Sequence, residues 1–452
     1  MESEVPFRWP LGIDILKAQY DALPSQQLLA FQSPVFDKLG ANTLVRIFEA
    51  EGYRATDPKN IKAILDTSFE DWGFGSRSPG LFPFLGNGIF TQDGRPWKHS
   101  REVLRKQFAR MQYQNLTVLD EHINNLLHEL SSASAGIIDP YFFRFTLSTT
   151  TYFIFSEPMG TLGDDVQTSF KPPIRLRLAD FHWLYQPRKY KDACTLVKRY
   201  ADSFVSRALE VQEKEGEEAA FSRYPFIIDL YRNYQDLLQV RDQLINVLIA
   251  GRDTTACLSS WAFFLRVRHP TTMERLRNEI TAVLTDGSQP VIKAILAKMP
   301  YLKSLRLYPQ LPVNVRVAMT TTVLPSGGGP SGNAPVLIKK GVGVGYSIYH
   351  MHRMAFLYGE DASEFHPERL DNTDLKKRMI SDFGFLPFHG GPRTCLGKEF
   401  ALMEASYAVI RVIQRFPGLR LPPDVKKEAT EYERQNLAIV VSSAEGCKVL
   451  FD

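Results

Sequence analysis

The sequence has few cysteines, and none of them is spaced for a disulfide scaffold or a zinc ribbon. Only four occur in 452 residues, Cys194, Cys257, Cys395 and Cys447, and no two form a CxxC pair. Disulfide-rich and zinc-ribbon classes of protein are therefore excluded. One or more of these thiols is free to do chemistry.

The sequence also lacks an excess of charge of one sign and a long apolar run. Lys and Arg number 54 and Asp and Glu number 50, which leaves a net charge of +4. This balance argues against a nucleic-acid partner, which requires clustered positive charge. No stretch reaches the roughly 18 apolar residues that a membrane-spanning helix needs. The opening residues, MESEVPFRWP, do not resemble a signal peptide.

Flexible linkers and internal repeats are absent as well, so we expect residues 1–452 to fold as a single domain. Hydrophobic residues at 44% and aromatic residues at 12% are enough for a large core. Helical patterns dominate from Trp97 to Leu284, whereas strand-like alternation is confined to short pieces such as Val336 to Tyr349 and Leu437 to Val441. The expected fold class is mainly α with small β-sheets.

The third cysteine lies in a glycine-rich segment, FHGGPRTCLG, at positions 388–397. Cys395 precedes a helical run that starts near Lys398, and amide groups at a helix start stabilise a thiolate and lower its pKa. A thiolate held in this way is a strong axial ligand for haem iron. The alternative is a buried structural cysteine in a tight turn.

This segment resembles the FxxGxRxCxG motif of the cytochrome P-450 superfamily. The matching residues are Phe388, Gly391, Arg393, Cys395 and Gly397. The resemblance implies the cytochrome P-450 fold, with haem b between a long distal helix and the cysteine loop. It also implies that Cys395 is the axial ligand of the haem iron and that Phe388 and Arg393 are haem-binding residues.

A second segment, AGRDTT at positions 250–255, resembles the AGxDTT element of the distal helix in that superfamily. A threonine hydroxyl inside a helix can donate to the carbonyl one turn back and open the helix locally. The resemblance implies that Thr254 is a hydrogen-bond donor on the oxygen-binding side and that Asp253 relays protons. The alternative is an ordinary helix with one turn weakened by glycine.

A third segment, WKHSR at positions 97–101, resembles the WxxxR element of the superfamily. Trp97 and Arg101 are four residues apart and share one helix face. The resemblance implies that both contact a haem propionate, together with Arg316 and Arg393. The alternatives are a surface helix contact for the pair and ordinary solvated arginines for the other two.

A closer resemblance, from about Trp9 to the end, is to the fungal microsomal alkane and fatty-acid hydroxylases. It implies insertion of one oxygen atom of dioxygen into a C–H bond of a long-chain aliphatic, a fatty-acid-like molecule or a fungal metabolite. It further implies an NADPH-dependent flavoprotein reductase as electron donor, docked on a basic surface that includes Arg393 and Lys398. A haem enzyme for isomerisation or peroxide-driven chemistry is the alternative, but such enzymes ordinarily dispense with the Asp253 and Thr254 relay.

Two departures from the family pattern stand out, and the first concerns the ExxR element of the proximal helix. Lys303 takes the place of the glutamate three residues before Arg306, and the segment is about five residues short, which rotates a helix by roughly 140°. We therefore expect Arg306 to face Arg369 without a carboxylate, which would impair haem loading. The sequence then represents either a gene-model error or a degraded, non-catalytic haem-binding relative.

The second departure is that we expect no N-terminal anchor, which in the family normally precedes a segment like Trp9 to Ile13. We expect peripheral membrane contact instead, through the aromatic and basic residues of Ile174 to Tyr190, at the surface of the endoplasmic reticulum. A cytoplasmic location and a solvated helix face are the alternatives.

Overall fold

The computed structural model describes residues 4–22, 24–47, 50–113, 117–132, 135–157, 187–284, 306–427 and 433–451. Within them the α-helices are α1 (Ile13–Asp21), α2 (Leu28–Leu39), α3 (Pro58–Lys62), α4 (Arg77–Leu85), α5 (Gly94–Tyr113), α6 (Thr117–Ser131), α7 (Asp139–Phe155), α8 (Arg188–Glu215), α9 (Glu217–Arg223), α10 (Pro225–Tyr234), α11 (Leu237–Arg268), α12 (Pro270–Val283), α13 (Ile348–Met351), α14 (Ala355–Tyr358), α15 (Thr373–Ser381) and α16 (Lys398–Arg415).

The strands are short by comparison. They are β1 (Asn42–Ile47), β2 (Ala50–Ala55), β3 (Trp72–Gly73), β4 (Ala135–Ile137), β5 (Val313–Ala318), β6 (Thr322–Gly328), β7 (Ala334–Ile338), β8 (Gly343–Ser347), β9 (Gln435–Leu437), β10 (Val441–Ser443) and β11 (Lys448–Leu450). The largest sheet has the order β1-β2-β8-β5-β3, in which β2 and β8 are parallel and the other pairs antiparallel. The expected fold class, mainly α with small sheets, is confirmed.

Two sequence-based strand predictions had different outcomes. The alternation from Val336 to Tyr349 was confirmed in part, because it covers the end of β7 and all of β8, whereas residues 339–342 connect the strands and Tyr349 lies in α13. The prediction for Leu437 to Val441 was wrong, because β9 ends at Leu437 and β10 begins at Val441. Those residues form the connection of an antiparallel pair, and apolar residues on both sides of the turn imitate the alternation of one strand.

The longest helix, α11, runs through the centre of the described protein. Its first turn is capped by Asp236, whose side chain accepts hydrogen bonds from the amides of Leu238 and Gln239. The helix is buried on most sides, which explains why its sequence shows no clear apolar stripe. One hydrophobic cluster contains its residues 240–248 and another its residues 256–267.

Between these two clusters, α11 is less completely buried. Ala250, Gly251, Asp253 and Thr254 are all partly exposed although the helix on either side is buried. Gly251 allows α7 to approach closely, because a Cβ atom there would lie 2.6 Å from the Thr150 hydroxyl oxygen. The fold therefore leaves an opening beside one turn in the middle of its central helix.

Among the described residues, no helix combines the length and the apolar character needed to cross a membrane. Most of the predicted membrane-contacting segment, Ile174 to Tyr190, lies outside those residues, and so does Lys303.

Candidate active site

Cys395 is the accessible cysteine of the protein, whereas Cys194, Cys257 and Cys447 are buried. Its amide donates to the Phe388 carbonyl, 3.1 Å away, which ties both ends of the predicted motif together. Desolvation raises the pKa of its thiol, although the Gly397 amide, Arg101 and Lys398 act in the opposite direction. The thiol is thus accessible, although the surrounding protein partly desolvates it.

The amide at the helix start lowers the pKa of Cys395 as expected, but the net shift of the thiol is upward. Burial outweighs the amide and the two cations, and a bound metal cation would be needed to hold the thiolate. The loop that carries the thiol is closely fitted. Gly391 has φ +66°, and a Cβ atom there would lie 1.8 Å from the Leu65 carbonyl oxygen, so only glycine fits.

The predicted residues of α5 lie next to this loop. Arg101 donates to the Thr394 carbonyl, 2.9 Å away, and its guanidinium lies 5.8 Å from the centre of the Trp97 ring. Trp97 is buried and also stacks against Arg393, with 4.2 Å from the guanidinium carbon to the ring centre. Three of the predicted haem-binding side chains, Trp97, Arg101 and Arg393, are thus brought together.

Arg393 is enclosed by protein. It pairs with Asp93, 2.6 Å away, and donates to the Gln92 carbonyl. Only 9% of its side chain is exposed, so the expectation that it belongs to a basic docking surface was wrong. Lys398 is exposed, as that expectation requires. Sequence reasoning missed Asp93, although this residue immediately precedes α5, the helix that contains the WxxxR element.

Arg316, the fourth predicted propionate contact, reaches the same place from β5. It is buried, and its guanidinium carbon lies 4.9 Å from the centre of the Phe74 ring. Arg393 and Arg77 lie 4.2 Å and 5.0 Å from the same ring centre. We call Phe74, Arg77, Arg316 and Arg393 the Phe74 cluster. Nothing in the sequence motifs marked Phe74 or Arg77.

On α11, Thr254 has the predicted geometry. Its hydroxyl donates to the Ala250 carbonyl at 2.6 Å, one turn back, at the opening described above. Asp253 is partly exposed and lies 3.4 Å from Arg252. Desolvation raises the pKa of Asp253, while Arg252 acts to lower it. This carboxyl group is therefore able to hold a proton beside Thr254.

A second acid near this turn was missed by sequence reasoning. Glu404 on α16 is fully buried, and the hydroxyl of Thr149 donates to it. Burial raises its pKa to about 8, although hydrogen bonds from Thr149 and Thr255 act to lower it. The one sequence signal for Glu404 was an acidic residue within the apolar run of α16, the helix that follows Cys395.

The two arginines expected to face each other are held by separate partners. Arg369 forms a bidentate pair with Asp361, at 3.0 and 2.7 Å, and also donates to the Tyr358 carbonyl. Arg306 donates to the carbonyls of His352 and Glu364 and lies 4.6 Å from the centre of the Tyr358 ring. We call Arg306, Tyr358, Asp361 and Arg369 the Tyr358 cluster.

The expectation that Arg369 lacks a carboxylate was therefore wrong. Within the described part of the chain, no carboxylate pairs directly with Arg306, and burial lowers its pKa to about 9. Backbone carbonyls and an aromatic face compensate this cation. Substoichiometric haem binding stays a prediction, which the measured haem-to-protein ratio tests.

The donor set fits a haem. One accessible thiol provides a single protein ligand, which suits a metal whose other ligands come from a macrocycle. The Phe74 cluster adds buried positive charge, which suits the two propionates.

Comparison with known proteins agrees with this chemistry. A sequence profile described as Cytochrome P-450 matches residues 6–447. The chain belongs to the cytochrome P-450 family. It is therefore an oxidoreductase of the monooxygenase class with a haem-iron cofactor, and the predicted family, fold and enzyme class are confirmed.

Three similar proteins come from fungi. Cytochrome P-450 52A5 of Candida maltosa is 37% identical, over 92% of this chain and 82% of that protein. Cytochrome P-450 52A6 of Candida tropicalis is 40% identical, over 81% of this chain and 76% of its own length. Cytochrome P-450 monooxygenase g430 of a Fusarium species is 36% identical, over 99% of this chain and 84% of its own. None of these comparisons supports a degraded, non-catalytic relative.

Proposed function

We propose that this cytochrome P-450 inserts one oxygen atom of dioxygen into a C–H bond of an apolar substrate, a long-chain aliphatic or fatty-acid-like molecule. The accessible Cys395 thiol, in a loop that matches the family motif, is the observation that carries the oxygenase chemistry. The substrate class rests on the resemblance to the fungal alkane and fatty-acid hydroxylases and on the fungal relatives. A fungal metabolite of similar polarity remains the second candidate.

The placement of the side chains supports the proposed haem-binding roles. Cys395 would hold the iron of haem b through its thiolate, and Phe388 would lie beside the haem, because its backbone carbonyl accepts the Cys395 amide. Trp97, Arg101, Arg316 and Arg393 hold the propionates, Trp97 as a neutral donor and the arginines as charged donors. When bound, the haem supplies the iron that activates dioxygen.

Proton delivery is assigned to α11. The Thr254 hydroxyl, fixed by its hydrogen bond to the Ala250 carbonyl, faces the same turn as Asp253. Asp253 holds and passes a proton because burial raises its pKa. Glu404 lies behind this turn and is a second store for a proton, since its pKa of about 8 keeps it protonated at neutral pH.

The remaining partners are proposed from the resemblance. Electrons come from an NADPH-dependent flavoprotein reductase, and the protein lies at the surface of the endoplasmic reticulum membrane. Exposed aromatic side chains near the N-terminus support contact with lipid, because Trp9 is 48% and Tyr20 is 73% exposed.

Two measurements test the proposal separately. The CO-difference spectrum of the reduced, purified protein should show the Soret band of thiolate-ligated haem, and its absence would overturn the haem-thiolate assignment. Reconstitution with reductase and NADPH should then hydroxylate alkanes or fatty acids, with turnover that depends on chain length. A normal spectrum without oxidation of any aliphatic chain would overturn the substrate class alone.

A further inference from the structure

Three guanidinium groups from distant parts of the chain converge on the Phe74 ring. Arg77 begins α4, Arg316 lies in β5 and Arg393 lies two residues before Cys395, yet each guanidinium carbon is within 5.0 Å of the ring centre. Among the described residues, Asp93 is the one carboxylate that pairs with any of the three. Like charges held this close in a partly buried site repel one another.

Within the described part of the chain, carboxylates therefore do not fully balance the charges of the Phe74 cluster. Burial and the neighbouring Arg316 guanidinium lower the pKa of Arg77 to about 10. Three cations and one paired carboxylate leave two positive charges uncompensated. A ligand with two negative charges would compensate them.

Arg77 is the member of the cluster with the least compensation. It donates to the side-chain oxygen of Asn314 at 2.5 Å, and that partner is neutral. The same oxygen accepts from the guanidinium of Arg316, 3.2 Å away, so Asn314 orients both cations. Arg77 is only partly buried as a residue, whereas Arg316 is 5% exposed.

Asn314 also connects this arrangement to the cysteine loop. Its amide nitrogen donates to Nε2 of His389, 3.0 Å away, because its oxygen is already used as an acceptor. Burial lowers the pKa of His389 to about 3, so this side chain is neutral and adds no charge to the cluster. The position of Arg77 is thus coupled to the loop that carries Cys395.

We propose that Arg77 is a further haem-binding residue, which donates to a propionate carboxylate together with Arg316 and Arg393. Phe74 is the common surface against which the three guanidiniums pack, and Asn314 is the positioning residue that orients Arg77. This assignment rests on the proposed binding of haem b and adds to it a residue that no family motif marks.

The test measures release of haem from the holoenzyme to excess apomyoglobin. Arg77→Gln keeps an amide donor for Asn314 but removes the charge, and we expect haem to dissociate about tenfold faster. Arg77→Lys keeps the charge, so its rate of haem release should lie between those of wild type and Arg77→Gln. Arg54→Met, at a partly buried arginine of β2 outside the cluster, is the matched control and should release haem at the wild-type rate.

A second arm uses haem dimethyl ester, in which both propionates are uncharged. Wild type and Arg77→Gln reconstituted with the ester should release it at the same rate. Equal release of unmodified haem by the two proteins would overturn the proposal, as would a tenfold difference that persists with the ester. If Arg77→Gln fails to fold, Arg77→Lys provides the test. The proposal would be overturned if Arg77→Lys released unmodified haem at the wild-type rate. It would also be overturned if Arg77→Lys released the ester no faster than unmodified haem.

These outcomes are separate from a failure of the proposed function. A wild-type protein that forms no thiolate-ligated haem refutes the haem assignment before Arg77 is tested. A wild-type protein with normal haem and an unaffected Arg77→Gln variant refutes only the role of Arg77.

Discussion

The protein contains two clusters of buried arginines that are compensated in opposite ways. In the Tyr358 cluster, Arg369 pairs with Asp361, and the guanidinium of Arg306 is occupied by two backbone carbonyls and an aromatic face. In the Phe74 cluster, Arg77 has a neutral amide as its partner and Asp93 serves Arg393 alone. Among the described residues, the first cluster has one carboxylate for two guanidiniums and the second has one for three, and we infer that an anion completes the second.

The difference shows that compensation, rather than the number of arginines, distinguishes a structural cluster from a ligand-binding one. The Tyr358 cluster also reaches the cysteine loop through neutral groups. His352 bonds the Arg306 carbonyl through Nδ1 and accepts the Leu386 amide at Nε2, each at 3.0 Å. The Tyr358 hydroxyl donates to the Gly384 carbonyl at 2.6 Å. We infer that this cluster holds the start of the loop whether or not haem is bound.

The largest expected effect tests whether the iron binds at Cys395. Cys395→Ala should abolish the Soret signature of thiolate-ligated haem, because no other cysteine is accessible. The variants Cys194→Ala, Cys257→Ala and Cys447→Ala are the controls and should retain it in the CO-difference spectrum. Retention of the signature by Cys395→Ala would refute the entire site.

The next prediction contrasts the two aromatic residues at the centres of the clusters. Tyr358→Leu removes a buried hydrogen bond and the ring beneath Arg306, so we expect the free energy of unfolding to fall by about 2–4 kcal/mol. Phe74→Leu should mainly weaken haem binding. Urea denaturation and the haem dissociation rate measure the two effects, and the opposite pattern would remove the distinction between the clusters.

A third prediction concerns a buried acid. Glu404 has a pKa of about 8 in the folded protein, above its ordinary 4.5, so folding favours its protonated form. This contribution to stability is fully present below about pH 4.5 and is lost as the pH rises through about 8. The free energy of unfolding should fall by up to about 1.4 kcal/mol per pH unit in that window.

Glu404→Gln stays neutral at every pH and should remove this slope in urea titrations between about pH 5 and pH 9. Glu399→Gln, at an exposed position of the same helix, is the control and should keep the wild-type slope. An unchanged slope in Glu404→Gln would show that other groups govern the pH dependence.

The smallest effect on folding and haem content is expected for the proton-delivering residues, which belong to neither cluster. Thr254→Ala should load haem normally but lower the ratio of product to electrons consumed by roughly tenfold or more, with peroxide released instead. Thr281→Ala removes a similar hydroxyl-to-carbonyl bond in α12 and should leave the ratio unchanged. Normal coupling in Thr254→Ala would contradict the assigned relay.

Much of the candidate site could be predicted because its motifs are local. Cys395 and Phe388 lie within one short loop, and Thr254 and Asp253 lie on one helical turn, so spacing alone brings each pair together. The predictions that failed concerned environments. The raised pKa of the Cys395 thiol and the enclosure of Arg393 depend on protein packed from elsewhere.

The sequence by itself determined the family, the helix-rich fold and the residues of the three motifs, because each motif encodes its geometry over a few residues. Only the tertiary structure decided which charges are compensated. Asp361 reaches Arg369, Asn314 reaches Arg77, and Thr149 reaches Glu404 across 255 positions of sequence. Burial of a charge and the identity of its partner are properties of packed segments, so no pattern within a single segment reveals them.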